Sequence, residues 1–222
     1  MDRHLFGEYL DTPGRPEYDV NSLNNVDRNK DEYITPFGPG LLRTFIDEKF
    51  CDQVISWVDS QDDAENFAFY RASTNLAGQL GVEYNLPQDM FVDLIKTIET
   101  KVWIYLRQSR ANFRGCEHKP DVKIKSIWAN KQGKGEWNPP HSHSLQISGV
   151  LHLNTWAIDG RHPHKNKTGC TSFIDGRDMD FTNSIRSFLP IKGQLIIFPA
   201  WLTHYVESNF KDEFRYTLSF NI

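Results

Sequence analysis

GQLIIFP at residues 193–199 and FRYTLSFNI at 214–222 decide the fold of this chain. Both are strand-length runs of β-branched and aromatic residues, and the second alternates strictly. Arg215, Thr217, Ser219 and Asn221 share one face of an extended segment, and Tyr216, Leu218 and Phe220 share the other. Working outward, VKIKSIWAN (122–130) and QISGVLHLN (146–154) have the same character, with Val122, Ile124 and Trp128 separated by lysines and a serine. The segments NKQGKGEWNPP, AIDGRHPHKNKTG and LPIKG, rich in glycine, proline or polar residues, bound these runs as turns.

Upstream the period changes to that of a helix. Phe50, Val54, Trp57 and Val58 recur at helical spacing within 47–60, with Asp47 placed to cap the start. A second stripe, Phe91, Leu94, Ile95, Ile98, Val102 and Tyr105, predicts a helix over 87–107 with Pro87 and Asp89 in its first turn. One apolar face on each helix implies packing on one side of a sheet. Helices first and short strands after imply an α+β domain, mainly β, built as an antiparallel sandwich or barrel. Residues 1–35 are polar and aperiodic and read as an N-terminal arm, leaving 36–222 as a single domain with its β core over about 120–222.

Composition narrows the function classes. A formal net charge of −4 gives no electrostatic ground for nucleic acid or anionic lipid as partner. No apolar run is long enough for a membrane span, and the start lacks the apolar core of a secretory signal. Cys51, Cys116 and Cys170 are widely spaced and form no CxxC pair, which suits isolated thiols in a reducing cytoplasm.

His141-Ser-His143 is the first cluster with chemistry in it. Residues i and i+2 of an extended segment point the same way, and Pro139-Pro140 keeps the chain extended, so both imidazoles reach one ion. His162-Pro-His164 has the same spacing, but it lies among Arg161, Lys165 and Lys167 and reads as a surface loop. His204 follows the apolar run that ends at Pro199; on local sequence it is a metal ligand or a hydrogen-bonded core histidine. Arg215 with Thr217 favours the ligand, because an arginine on a buried strand face needs an anion such as a carboxylate. Ser148, Val150, His152 and Asn154 share a mostly polar face of an internal-looking strand, which suggests a lined cavity.

In this order of parts the chain resembles the iron(II)/2-oxoglutarate-dependent oxygenases. The residues that carry the resemblance are WAN (128–130), NPPHSH (138–143), SGVLHL (148–153), FPAWLTH (198–204) and RYTLSFN (215–221). They are most similar to the prolyl-4-hydroxylase-like branch and to a bacterial and phage group within it. The resemblance implies a double-stranded β-helix, or jelly-roll, with N-terminal helices packed on one sheet. It also implies Fe(II), 2-oxoglutarate and O2 as cofactors, ascorbate in support, and hydroxylation with release of succinate and CO2. His141, His143 and His204 then hold the iron, with no further catalytic side chain, and Arg215 with Thr217 binds the cosubstrate carboxylate. Ser148, His152, Asn130 and Asn138 match positions lining the cosubstrate pocket. His143 stands where most of the superfamily has a carboxylate, and Asp175 is the alternative source of one.

The branch points to a protein or peptide side chain such as proline as substrate, with a small molecule as runner-up. A cytoplasmic protein is expected, in the host cytoplasm if phage-encoded, and a homodimer remains open. A cupin-like three-histidine dioxygenase and a noncatalytic jelly-roll are the competing readings.

Overall fold

A computed structural model of the chain describes residues 27–34, 40–61, 80–111, 122–156, 167–175 and 184–222. In chain order the elements are β1 (Glu32–Ile34), β2 (Leu41–Phe45), α1 (Glu48–Gln61), β3 (Val82–Asn85), α2 (Val92–Ala111) and β4 (Ser126–Gln132). After these come β5 (Asn138–His141), β6 (Ile147–His152), β7 (Thr171–Ile174), β8 (Ile185–Phe188), β9 (Gln194–Pro199), β10 (His204–Val206) and β11 (Arg215–Asn221).

The strands form two antiparallel sheets, one of seven strands in the order β1-β2-β9-β6-β11-β4-β3 and one of four in the order β5-β10-β7-β8. This is the double-stranded β-helix that the resemblance implies. The seven-stranded sheet is sided, as the period-2 alternation requires. Ile147, Leu151, Leu195, Ile197, Leu218 and Phe220 pack outward in one core with Cys51, Val54 and Val58 of α1 and Leu94, Ile98 and Val102 of α2. On the other face Val150, Ile196 and Phe198 meet Phe173 and Phe188 of the small sheet.

Both helices form, with shifted limits. Asp47 caps α1 as its sequence position suggests, its carboxylate accepting from the Lys49 N–H at 3.0 Å. The start expected for α2 at Pro87 is displaced to Val92. Leu86 N–H still bonds Ile127 O, and Pro87 opens a turn in which Met90 N–H bonds Pro87 O. Ladder geometry at 86 leaves no room for a helix until the turn is complete, so Asp93 rather than Asp89 occupies the first turn. The strand expected over 122–130 starts at Ser126, and its outward apolar residues are Ile127 and Ala129. Trp128 and Asn130 point to the inner side, where they line the cavity described below.

The sheet begins inside the segment read as an arm, since β1 pairs with β2. Residues 1–26 of that segment, the His162/His164 pair and Cys116 lie outside the described residues. Cys51 and Cys170 are free, buried thiols, each pushed up by burial, to about 11 and about 12. No helix among the described residues is long and apolar enough to cross a membrane.

Candidate metal centre and anion pocket

The two short strands of the small sheet carry the histidine cluster. His141 ends β5, His204 begins β10, and the two are direct partners across the ladder. His143 lies just past β5, where its backbone N–H is held by Ala200 O at 2.8 Å. The ligand atoms of His141, His143 and His204 fall within 4.8 Å of one another, the one such group of ligating side chains among the described residues.

Hydrogen bonds set which nitrogen faces the centre. His141 Nδ1 lies 2.7 Å from Pro139 O, and His204 Nδ1 lies 2.9 Å from Leu202 O. A carbonyl only accepts, so each Nδ1 carries the proton and each Nε2 keeps its lone pair for a metal. Aromatic contacts fix the rings as well: Phe198 stands edge-on to His204 at 4.8 Å, and Trp128 to His143 at 5.9 Å.

Burial, then the neighbouring imidazoles, pushes His204 down to about 3 and His143 to about 4. Burial likewise lowers His141, partly offset by its bond to Pro139. All three are therefore neutral at pH 7, the form that binds a metal. Three converging neutral nitrogens suit a borderline divalent ion such as Fe(II). The group contains no carboxylate. Asp175 does not join it; it follows the end of β7, with its backbone N–H on Ser184 O.

Arg215 lies in the same cavity wall and is 2% exposed. Its Nε–H donates to Gly169 O at 2.7 Å, one Nη to Thr171 Oγ1 at 3.0 Å, and the other to Gln132 Oε1 at 3.3 Å and weakly to Thr217 Oγ1 at 3.5 Å. Every partner is a neutral oxygen. Burial lowers Arg215 to about 10, so it stays charged at pH 7. Among the described residues no carboxylate forms an ion pair with it. A buried cation held by neutral dipoles on a cavity wall is a site for an anion. Gly169 makes this packing possible: it has φ +68°, and a Cβ there would lie 3.2 Å from Arg215 Cδ.

The remaining candidates divide. Ser148, Asn130, Asn138 and Thr217 line the cavity. Ser148 bonds Asn221, and Asn130 Nδ2 reaches Thr217 Oγ1 and Ser219 Oγ, both at 3.3 Å. His152 is not on the wall. It is fully buried behind it, with Nδ1 on Gln194 Oε1 and Nε2 on Thr171 Oγ1, and burial with the nearby Arg215 charge pushes it down to about 3. Asn154 also points away from the cavity, bonding Phe214 O and Tyr216 N–H.

Gln132 and Thr171 escaped the sequence reading. Thr171 opens a four-residue strand with no visible alternation, and Gln132, the last residue of β4, falls in a segment that reads as a glycine-rich turn. Either could have been found only by asking which oxygens a buried arginine would use.

The arrangement is that of a jelly-roll in which three histidines that could hold a metal ion stand in the same cavity wall as a buried arginine. Residues 126–221 match the family model described as "Putative 2OG-Fe(II) oxygenase". The match runs from the first residue of β4 to the last of β11, so the β core of this chain is similar to that family.

No curated protein matches the chain by sequence. A prolyl-4-hydroxylase from Pseudomonas putida is similar in structure at 14% identity and TM-score 0.54, over 82% of this chain and 92% of that one. A prolyl hydroxylase from Trichoplax adhaerens, in complex with a hypoxia inducible factor peptide fragment, is similar at 14% identity and TM-score 0.51, over 91% and 86%. The non-heme alpha-ketoglutarate-dependent carbocyclase SnoK of nogalamycin biosynthesis is similar at 12% identity and TM-score 0.54, over 82% and 78%. At these identities the likeness is one of fold.

Proposed function

We propose that this chain is an Fe(II)- and 2-oxoglutarate-dependent oxygenase that hydroxylates a protein or peptide side chain, forming succinate and CO2 from the cosubstrate. The observation that carries this reading is the pairing, in one cavity, of three neutral imidazoles with a buried arginine that has no anionic partner among the described residues. His141, His143 and His204 hold the metal, and Arg215 receives the far carboxylate of 2-oxoglutarate, a charge-assisted and bidentate match. Bound iron supplies the oxidising chemistry; the protein supplies orientation and a dry site. Thr217 and Asn130 keep the guanidinium aligned, and Trp128 and Phe198 exclude water from the cavity.

An exposed apolar rim supports a peptide over a small metabolite. Leu145 and Trp201 are 41% and 63% exposed. Their loops are joined by backbone bonds from Ala200 N–H to Gln146 O and from His143 N–H to Ala200 O, next to the histidines. A reducing cytoplasm suits the free thiols and Fe(II) alike.

The absence of a carboxylate from the histidine group favours one second reading, a three-histidine dioxygenase that uses no 2-oxoglutarate. Aerobic incubation with Fe(II), ascorbate and 2-oxoglutarate separates the two. Succinate formation, even uncoupled from substrate, is expected. No turnover together with no affinity for 2-oxoglutarate would overturn the proposal.

A further inference from the structure

Among the described residues, Glu83 is the one charged side chain of the cavity wall that the proposed reaction leaves unused. It lies at the middle of edge strand β3, opposite Asn130 of β4, and is 5% exposed. Both of its carboxylate oxygens are buried without a hydrogen-bond partner, and so is Asn130 Oδ1. Two paired positions of adjacent strands thus bring three acceptor oxygens, with no donor to them among the described residues, to one stretch of wall. Arg215 on the same wall does not serve them, since its donors go to Gly169, Thr171, Gln132 and Thr217.

Unpaired acceptors of this kind are costly to bury, and a carboxylate costs most of all. Burial pushes Glu83 up to about 7, in keeping with two carboxylate oxygens that lack a donor. A ligand with several N–H donors and a positive charge would satisfy all three oxygens together. An ammonium has three donors, and a guanidinium offers a fork that matches both carboxylate oxygens.

We propose that Glu83, with Asn130, makes the cavity select a peptide that presents a basic side chain, lysine or arginine, at or beside the residue to be oxidised. The cavity is then bipolar, with the Arg215 end taking the cosubstrate anion and the Glu83 end taking the substrate cation. This rests on the oxygenase reading for its account of Arg215, but not for the affinity of the Glu83 end for a cation. It also disfavours an isolated proline side chain, which carries no donor for these oxygens.

The test is calorimetric titration of the full chain, loaded with Mn(II) and 2-oxoglutarate under nitrogen, with three capped amino-acid amides. Nα-acetyl-lysine amide and Nα-acetyl-arginine amide carry the cation, and Nα-acetyl-norleucine amide has the lysine stem without it. At least one basic probe should bind tenfold or more tightly than the norleucine probe, and the lysine-to-arginine ratio shows which cation fits. Glu83→Gln should abolish that preference while 2-oxoglutarate affinity stays within twofold. Equal or undetectable binding of all three probes by the unaltered protein overturns the inference, and so does a preference that survives Glu83→Gln. The comparison of probes on the unaltered protein needs no variant, so it stands even where Glu83→Gln does not fold. Titration of 2-oxoglutarate alone is read separately; its failure would sink the oxygenase reading while leaving the basic-probe ratio to decide this one.

Discussion

A guanidinium that is 2% exposed and, among the described residues, bonded only to neutral oxygens is expensive to maintain, and that expense is the ground for proposing Arg215 as the anion site. Arg215→Lys keeps the charge but loses the fork, so 2-oxoglutarate affinity should fall at least tenfold, and further in Arg215→Met, by titration of the Mn(II)-loaded protein. Arg215 was legible because an arginine and a threonine share one strand face in RYTLSFN. Glu83 was not: VEYN is too short to show a face, and only the β3–β4 register sets this glutamate opposite Asn130. Its effect on stability has a definite sign. The folded chain holds the Glu83 proton up to about pH 7, whereas an ordinary glutamate carboxyl gives it up near 4.5. Stability is therefore fully present below 4.5 and is lost as pH rises through 7, by about 3 kcal/mol for a shift of this size. Glu83→Gln lacks that loss, so urea unfolding at pH 5 and pH 8 should show the variant gaining on the parent by about 2–3 kcal/mol between the two. A constant difference would show that Glu83 is not held protonated.

At the scale of elements, length decided what could be read. α1, α2, β6, β9 and β11 announce themselves because each repeats its period or holds an unbroken apolar run. β5, β7, β8 and β10 have three or four residues each. They are strands because their ladders close, as where β10 pairs with β5 on one side and β7 on the other, and no local pattern encodes that. Pairing of His204 with His141 was thus invisible locally, although the HxH spacing and the distal histidine were both visible. His143 depends on this arrangement, because it sits beyond the end of β5 and is held through Ala200 in the loop between β9 and β10. His143→Ala should lower bound iron at least tenfold in a metal analysis after dialysis, and Asp175→Ala should leave it within twofold. Iron retained by the first variant and lost by the second would restore Asp175 as the ligand. On the outer side of the sheet, Asp47→Ala should lower the Tm through loss of the α1 cap, without altering metal content.

For the whole molecule, the two-sheet architecture resolves a conflict that no single element could. The seven-stranded sheet buries aliphatic side chains against two helices on its outer face, and this core leaves the inner face free to carry polar and charged groups. The sequence displayed this division in the alternation of β6 and β11, whereas the cavity itself needed both sheets to be visible. Stability at acid pH follows from the same division. His204 and His143 titrate near 3 and 4 when folded but near 6.5 as free imidazoles, so below 6.5 the unfolded chain takes up protons that the folded chain refuses. Their contribution is fully present above 6.5 and is lost as pH falls toward 4, the reverse of the Glu83 effect. Metal bound by the folded state alone adds stability by mass action, about 2.7 kcal/mol at a hundredfold excess over Kd. For a chain of this size that is a rise in Tm of roughly 5–10 °C. Mn(II) should produce such a rise at pH 7 and keep part of it at pH 5.5, where free imidazoles would be protonated but His143 and His204 remain neutral. His141→Ala and His204→Ala should abolish the rise at both pH values. A Tm indifferent to Mn(II), Fe(II) and Zn(II) alike would reduce the histidines to core packing and remove the metal centre from this protein.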